Sequence, residues 1–116
     1  MVDAQLFLWM SILVIYIRSE RPDLTNMQTA VLLIICMTPG PHSARDLAVQ
    51  LRAPKSSISR AIGRLVALGY VRQERDANER RKAIIEPTDE GMAFLDGLRR
   101  SIGANLSSMV HSAAFE

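Results

Sequence analysis

Cysteine, histidine and aromatic residues are scarce in this chain of 116 residues, with one, two and six of them respectively. A lone cysteine, Cys36, cannot close an internal disulfide and has no Cys-x-x-Cys partner for a zinc ribbon. Nothing therefore calls for an oxidising compartment, and a cytoplasmic location is expected. His42 and His111 stand apart, without the spacing that metal ligands need, so no metal site is expected. There is no glycine-rich phosphate loop, no arrangement of nucleophile and base, and no pair of carboxylates beside an apolar stretch. An enzyme or a resident cofactor is not expected on those grounds. Internal repeats, low-complexity tracts and a linker are also missing, so residues 1–116 are expected to form a single domain with one core. The net charge of +2 and a charged fraction of 22% exclude both a basic tail and a disordered acidic chain.

A membrane-long apolar run is lacking too. The run from Ala4 to Ile17 is interrupted by Gln5 and Ser11 and bounded by Asp3 and Arg18. It falls short of the roughly 20 apolar residues a spanning helix needs, and it lacks the positive charge that precedes a signal-peptide core. No membrane role is expected. A helix apolar on nearly every side needs cover on every side, and a second copy of the chain is the expected cover. Leu6, Trp9, Met10, Leu13, Val14 and Ile17 are the candidate dimer contacts of this first helix.

The chain beyond it reads as alternating stops and starts. Arg21-Pro-Asp-Leu24 breaks the first helix, and Thr25 with Gln28 forms a capping-box pattern for a second that runs to Pro39-Gly40-Pro41. Ser43 can cap a short third helix carrying Leu47, Ala48 and Leu51, and Pro54 suits the first turn of a fourth. Ile58, Ile62, Leu65 and Val66 form a core-facing stripe on that fourth helix, with Lys55, Ser56, Ser59, Arg60, Gly63 and Arg64 mostly opposite. Gly69 suits a left-handed cap. Residues 70–75 and 81–86 read as the strands of a hairpin turned by Asp76-Ala-Asn-Glu79 and ended by Pro87. A last helix starts at Thr88, with Asp89 and Glu90 in its first turn, and carries Met92, Leu95, Leu98, Ile102 and Leu106 at helical spacing. Met10, Met27, Met37 and Met92 read as core filler.

Two short helices, the second with a basic outer face, followed by an arginine-tipped hairpin make a winged helix-turn-helix. The expected class is mainly α with a small β-hairpin: helix-turn-helix at 43–68, wing at 70–87, and dimerisation helices at 1–20 and 88–112. A major groove about 12 Å wide admits one helix, and the hairpin beside it can reach the minor groove with long cations. Charge is distributed to match, since residues 45–82 hold ten Lys and Arg against four acids, while the rest of the chain is net acidic. Ser56-Ser-Ile-Ser-Arg60 supplies short hydroxyls for phosphates or base edges, with Arg60 long enough to reach a guanine.

From about Leu24 to Leu98 the sequence resembles the MarR family of bacterial transcription regulators. The resemblance is carried by Ser56-Ser-Ile-Ser-Arg-Ala-Ile-Gly-Arg-Leu65, Gly69-Tyr-Val-Arg72, Asp76-Ala-Asn-Glu-Arg-Arg81 and Thr88-Asp-Glu-Gly91. It implies that Arg81 enters the minor groove while Glu79, where the family more often has aspartate, holds its guanidinium. It also implies backbone contact by Arg80 and dimerisation through the terminal helices, adding Ile102 and Leu106 to the interface. The expected DNA-facing set is Ser43, Lys55, Ser56, Ser57, Ser59, Arg60, Arg64, Arg80, Arg81 and Lys82, with Asp76 and Glu79 orienting the wing. Pro87 stands where the family usually has an apolar residue, which predicts a loosened or shortened second strand. Both ends are shorter than is usual in the family.

The resemblance implies a homodimeric, sequence-specific DNA-binding regulator, a repressor on a pseudo-palindromic operator. Many members release DNA on binding a small aromatic or phenolic effector or on oxidation, but the residues identify no effector here. Cys36 lies in the apolar run Leu32-Leu-Ile-Ile-Cys-Met37, where a buried, inert thiol is the usual state. A second class stays open: a winged helix serving as a protein-interaction module, pairing with another chain through the apolar first helix. The basic face of the fourth helix weighs against it.

Overall fold

The computed structural model describes residues 3–75, 78 and 83–114, and side chains as far as residue 106. Its elements are α1 (Ala4–Arg18), α2 (Asn26–Met37), α3 (Ala44–Leu51), α4 (Lys55–Ala67), β1 (Val71–Arg75), β2 (Ala83–Pro87) and α5 (Asp89–Ala114). The strands pair antiparallel, Val71 opposite Pro87 through Arg75 opposite Ala83. This is the expected winged helix-turn-helix order. The residues group into two compact units, Leu24–Phe94 and the terminal segments Met1–Asp23 with Leu95–Glu116.

In the unit Leu24–Phe94, local signals set the helix ends. Thr25 accepts from Gln28 N while the Gln28 side chain accepts from Thr25 N, so the capping box is complete. Ser43 accepts from Asp46 N and caps α3. Pro54 sits one place before α4, at its N-cap, and Ser57 N and Ile58 N both bond to its carbonyl. Gly69 takes φ +82°, the left-handed cap expected of it. Arg52 also adopts a left-handed conformation, φ 51° and ψ 46°, and so ends α3 without a glycine. No residue-type signal marked that position.

The core of this unit comprises Val31, Leu32, Ile35, Leu47, Ile58, Ala61, Ile62, Leu65, Val71 and Ile85, all at most 4% exposed. α4 packs against α2, α3 and β1, and β2 packs against α2 and α3. Val66, expected in the core stripe, is 40% exposed, and Ala61 is buried in its place. At about 100° per residue, both flank the Ile58–Ile62–Leu65 row by about 40°, Ala61 beyond Leu65 and Val66 beyond Ile62, so periodicity treats them alike and it is packing that covers the Ala61 flank.

The hairpin corrects two expectations. β1 begins at Val71 rather than Tyr70, and β2 includes Pro87 rather than stopping before it. Proline has no N–H to give a ladder but is tolerated at the end of a strand, which is where Pro87 stands. β2 is also paired on its other side, since Ile85 N donates to His42 O at 2.8 Å in an isolated bridge. Residues 81–82, expected to open this strand, lie outside the described residues.

In the unit of terminal segments, α1 is capped by Asp3, whose carboxylate accepts from Gln5 N and Leu6 N. The helix ends at Arg18, ahead of the expected break at Arg21-Pro22, and Glu20 takes φ 58°. Tyr16 hydroxyl donates to Pro22 O, and Arg21 reaches Ser101 Oγ at 3.4 Å. Ser11 and Ile15 are the buried positions of α1, Ser11 donating to Phe7 O. Among the described residues no helix is long and apolar enough to cross a membrane.

Candidate nucleic-acid interface

The fold turns the polar side of α4 outward because the other side is committed to the core. Ile58, Ala61, Ile62 and Leu65 are buried, and the 3.6-residue period then carries Ser56, Ser59, Arg60, Gly63 and Arg64 to the opposite face. All five are exposed, as is Lys55 at the start of the helix. Ser57 is half-buried on the flank. At Gly63 an added Cβ would meet nothing within 4 Å, so the middle of this face is open to an incoming surface.

Ser43 is the exception among the described candidates. It is 4% exposed, and its hydroxyl accepts from Asp46 N. A buried cap holds α3 in place but cannot reach a phosphate, so Ser43 positions the helix-turn-helix instead of facing a ligand. Arg80, Arg81 and Lys82, with Asp76 and Glu79, lie outside the described residues.

Electrostatics separates the basic residues of this segment into two kinds. Arg72 is held on the hairpin, Nη2 to Glu86 Oε2 at 2.9 Å and Nε to Glu74 Oε1 at 3.1 Å. The hydrogen bond to Glu86, then the charge of Glu74, raises its already high pKa. Lys55, Arg60 and Arg64, by contrast, have no acidic partner within salt-bridge distance among the described residues, and the same is true of Arg45 and Arg52. Arg45 lies on the first turn of α3, and Arg52 is the exposed residue that closes it. Both counted toward the expected basic excess, but neither was placed in the DNA-facing set. Their signal was charge alone, which cannot distinguish an unpaired cation from one neutralised by its neighbours, as Arg72 is.

The candidate dimer residues of α1 are mostly bare. Leu6, Trp9, Met10, Leu13 and Ile17 are 40–73% exposed, and Leu8 joins them at 44%. Val14, Ile102 and Leu106 are half-buried. Among the described residues no cluster of three or more His, Cys, Asp and Glu side chains could hold a metal ion. Cys36 is a free, half-buried thiol whose pKa is raised by burial.

A sequence model described as MarR family matches residues 23–82. Solved structures agree in fold. A point mutant of S. aureus MepR superposes with a TM-score of 0.73 at 14% identity, over 94% of this chain and 77% of that one. The transcriptional regulator BldR from Sulfolobus solfataricus gives 0.63 at 26% identity, over 94% and 84%. CouR from Rhodococcus jostii RHA1, bound to p-coumaroyl-CoA, gives 0.63 at 20% identity, over 84% and 66%. No curated protein matches the sequence significantly.

Proposed function

Since the chain belongs to the MarR family, we propose that it is a sequence-specific, homodimeric DNA-binding transcription regulator, acting as a repressor on a pseudo-palindromic operator. The observation that carries this reading is the outer face of α4: Ser56, Ser59, Arg60 and Arg64 exposed together with no carboxylate partner among the described residues. Unpaired guanidinium groups on a helix backed by a rigid apolar stripe suit a phosphate-lined groove, where each keeps its full charge for the polyanion. Lys55, Ser56, Ser59 and Arg60 read one major-groove half-site, and Arg45 and Arg52 add phosphate contacts from α3. Arg81, held by Glu79, reads the minor groove, and Arg80 and Lys82 hold the backbone.

Two-fold symmetric DNA calls for a two-fold symmetric protein. The exposed apolar residues of α1 supply the contact surface, with Ile102 and Leu106 of α5 completing it. The CouR structure holds p-coumaroyl-CoA, and a small-molecule effector that relieves DNA binding is part of this reading. The protein acts in the cytoplasm and not as an enzyme.

Selection of bound duplexes from a random pool at two salt concentrations tests the proposal. Enrichment of an inverted repeat that survives the higher salt is the expected result. Binding that salt erases, with no enriched sequence, would overturn it and favour a protein-docking role through α1.

A further inference from the structure

The helix-turn-helix departs from local backbone preference at two places, and no contact among the described residues accounts for either. The first is Arg52. It takes the left-handed conformation at the end of α3, φ 51° and ψ 46°, with its N–H bonded to Ala48 O and Val49 O. The next N–H, of Ala53, returns to Ala48 O at 3.0 Å. Glycine is the preferred residue at such a cap, because a Cβ in this conformation crowds the following carbonyl. The Arg52 side chain is exposed and makes no hydrogen bond or ion pair among the described residues that would offset the strain.

The second is Gly63, inside α4. Its φ is not positive, so alanine could adopt the same backbone, and an added Cβ would meet nothing within 4 Å. Alanine is also the better residue for a helix interior. Gly91 differs, since there the backbone of Tyr70 leaves no room for a side chain.

Both positions lie among the unpaired cations of the motif. At about 100° per residue, Gly63 lies about 80° round α4 from Lys55 on one side and about 60° from Arg60 on the other. Ser56, Ser59 and Ala67, all short and exposed, are its nearer neighbours on that face. Cations on either side of a line without bulk suit a major groove, where phosphates run along both walls. A helix with its side chains is about 10–12 Å across and the groove about 12 Å wide, so the residue turned to the floor sets how deep the helix can sit.

On the reading of α4 as the DNA-facing helix, we propose that DNA and not folding sets the residue type at both positions. Gly63 is the closest approach of α4 to the groove floor, where a side chain would hold the helix away. Arg52 keeps a cation on the phosphate backbone at a turn position where glycine would be more stable. Each residue lowers the stability of the free protein and raises its affinity for DNA.

Urea unfolding of the free variants, with fluorescence anisotropy on the duplex that the parent enriches from a random pool, tests this. Arg52→Gly and Gly63→Ala should each unfold at a higher urea concentration than the parent, so that weaker binding is not a loss of fold. Each should bind the duplex about tenfold more weakly. Salt dependence separates the two roles: the slope of log K against log salt should be shallower by about one in Arg52→Gly and unaltered in Gly63→Ala. Arg52→Lys should recover most of the affinity without the gain in stability, and Gly63→Leu should bind more weakly than Gly63→Ala. A parent that enriches no duplex overturns the regulatory reading on which this rests. A parent that binds its duplex, with either Arg52→Gly or Gly63→Ala binding as tightly or unfolding at lower urea, overturns this inference alone.

Discussion

Gly91 lies directly against the backbone of Tyr70: a Cβ added there would come within 2.9 Å of the Tyr70 carbonyl carbon and 3.1 Å of its Cα, and closer still to the carbonyl oxygen. The first turn of α5 is thus seated on the residue just before the hairpin. Thr88 fastens the same junction, donating to Gly69 O at 2.5 Å and accepting from Gly91 N at 3.0 Å. The ring of Tyr70 stacks on Phe94 with centroids 4.4 Å apart. The wing is anchored at its root by these contacts.

Gly91→Ala should therefore destabilise the fold even though alanine is the better helix former. Overpacking against backbone, which cannot rotate away as a side chain could, should cost about 1 to 3 kcal/mol. Urea unfolding followed by far-UV circular dichroism measures it. A variant as stable as the parent would show that α5 shifts freely relative to Tyr70.

Arg60→Ala should weaken operator binding by about 1 to 3 kcal/mol, since Arg60 is exposed on α4 with no carboxylate partner among the described residues. Fluorescence anisotropy against the operator and single-base variants separates its two uses. Loss concentrated at one base pair marks a base contact. A uniform loss with a shallower salt dependence marks a phosphate contact, and no loss on any duplex removes α4 as the reading helix.

Ile17→Glu places a charge at a position of α1 that is 73% exposed in the single chain. A monomer tolerates a surface glutamate there, whereas an apolar interface between copies does not. Sedimentation equilibrium should show the variant as monomer at concentrations where the parent is dimeric, with the circular dichroism spectrum retained. A variant that stays dimeric would move the interface away from this face of α1.

Burial raises the Cys36 pKa, because the thiolate loses hydration that the half-buried site does not replace. The folded chain thus favours the neutral thiol more than the unfolded chain does. That stabilisation is fully present below the ordinary thiol pKa and is lost as pH rises through the raised folded value. Iodoacetamide, which reacts with the thiolate, should alkylate the native protein with a pH midpoint above that measured in urea. A native midpoint at or below the unfolded one would make Cys36 an activated thiol.

Sequence reading succeeded where a residue type acts on its own neighbours. The Thr25–Gln28 capping box, the Ser43 cap and the left-handed Gly69 follow from side chains that satisfy nearby backbone groups or from the lack of a Cβ, and all three are in the structure. The Ile58–Ile62–Leu65 stripe was equally legible, because helix periodicity is local. From these followed the winged helix order and the outward basic face of α4.

What the sequence left open depended on residues distant along the chain. Ser43 carries the same hydroxyl as Ser56, but capping and burial turn it inward while Ser56 stays exposed. Arg72 carries the same guanidinium as Arg60, and only the strand register, which sets it opposite Glu86, neutralises it. The bridge from His42 to Ile85 joins segments far apart in the chain and seats β2 beside the segment that precedes α3. Composition and periodicity determined which helices form and which faces are apolar. Only tertiary packing decided which hydroxyls are accessible and which cations remain unpaired, since each depends on what a distant segment brings alongside.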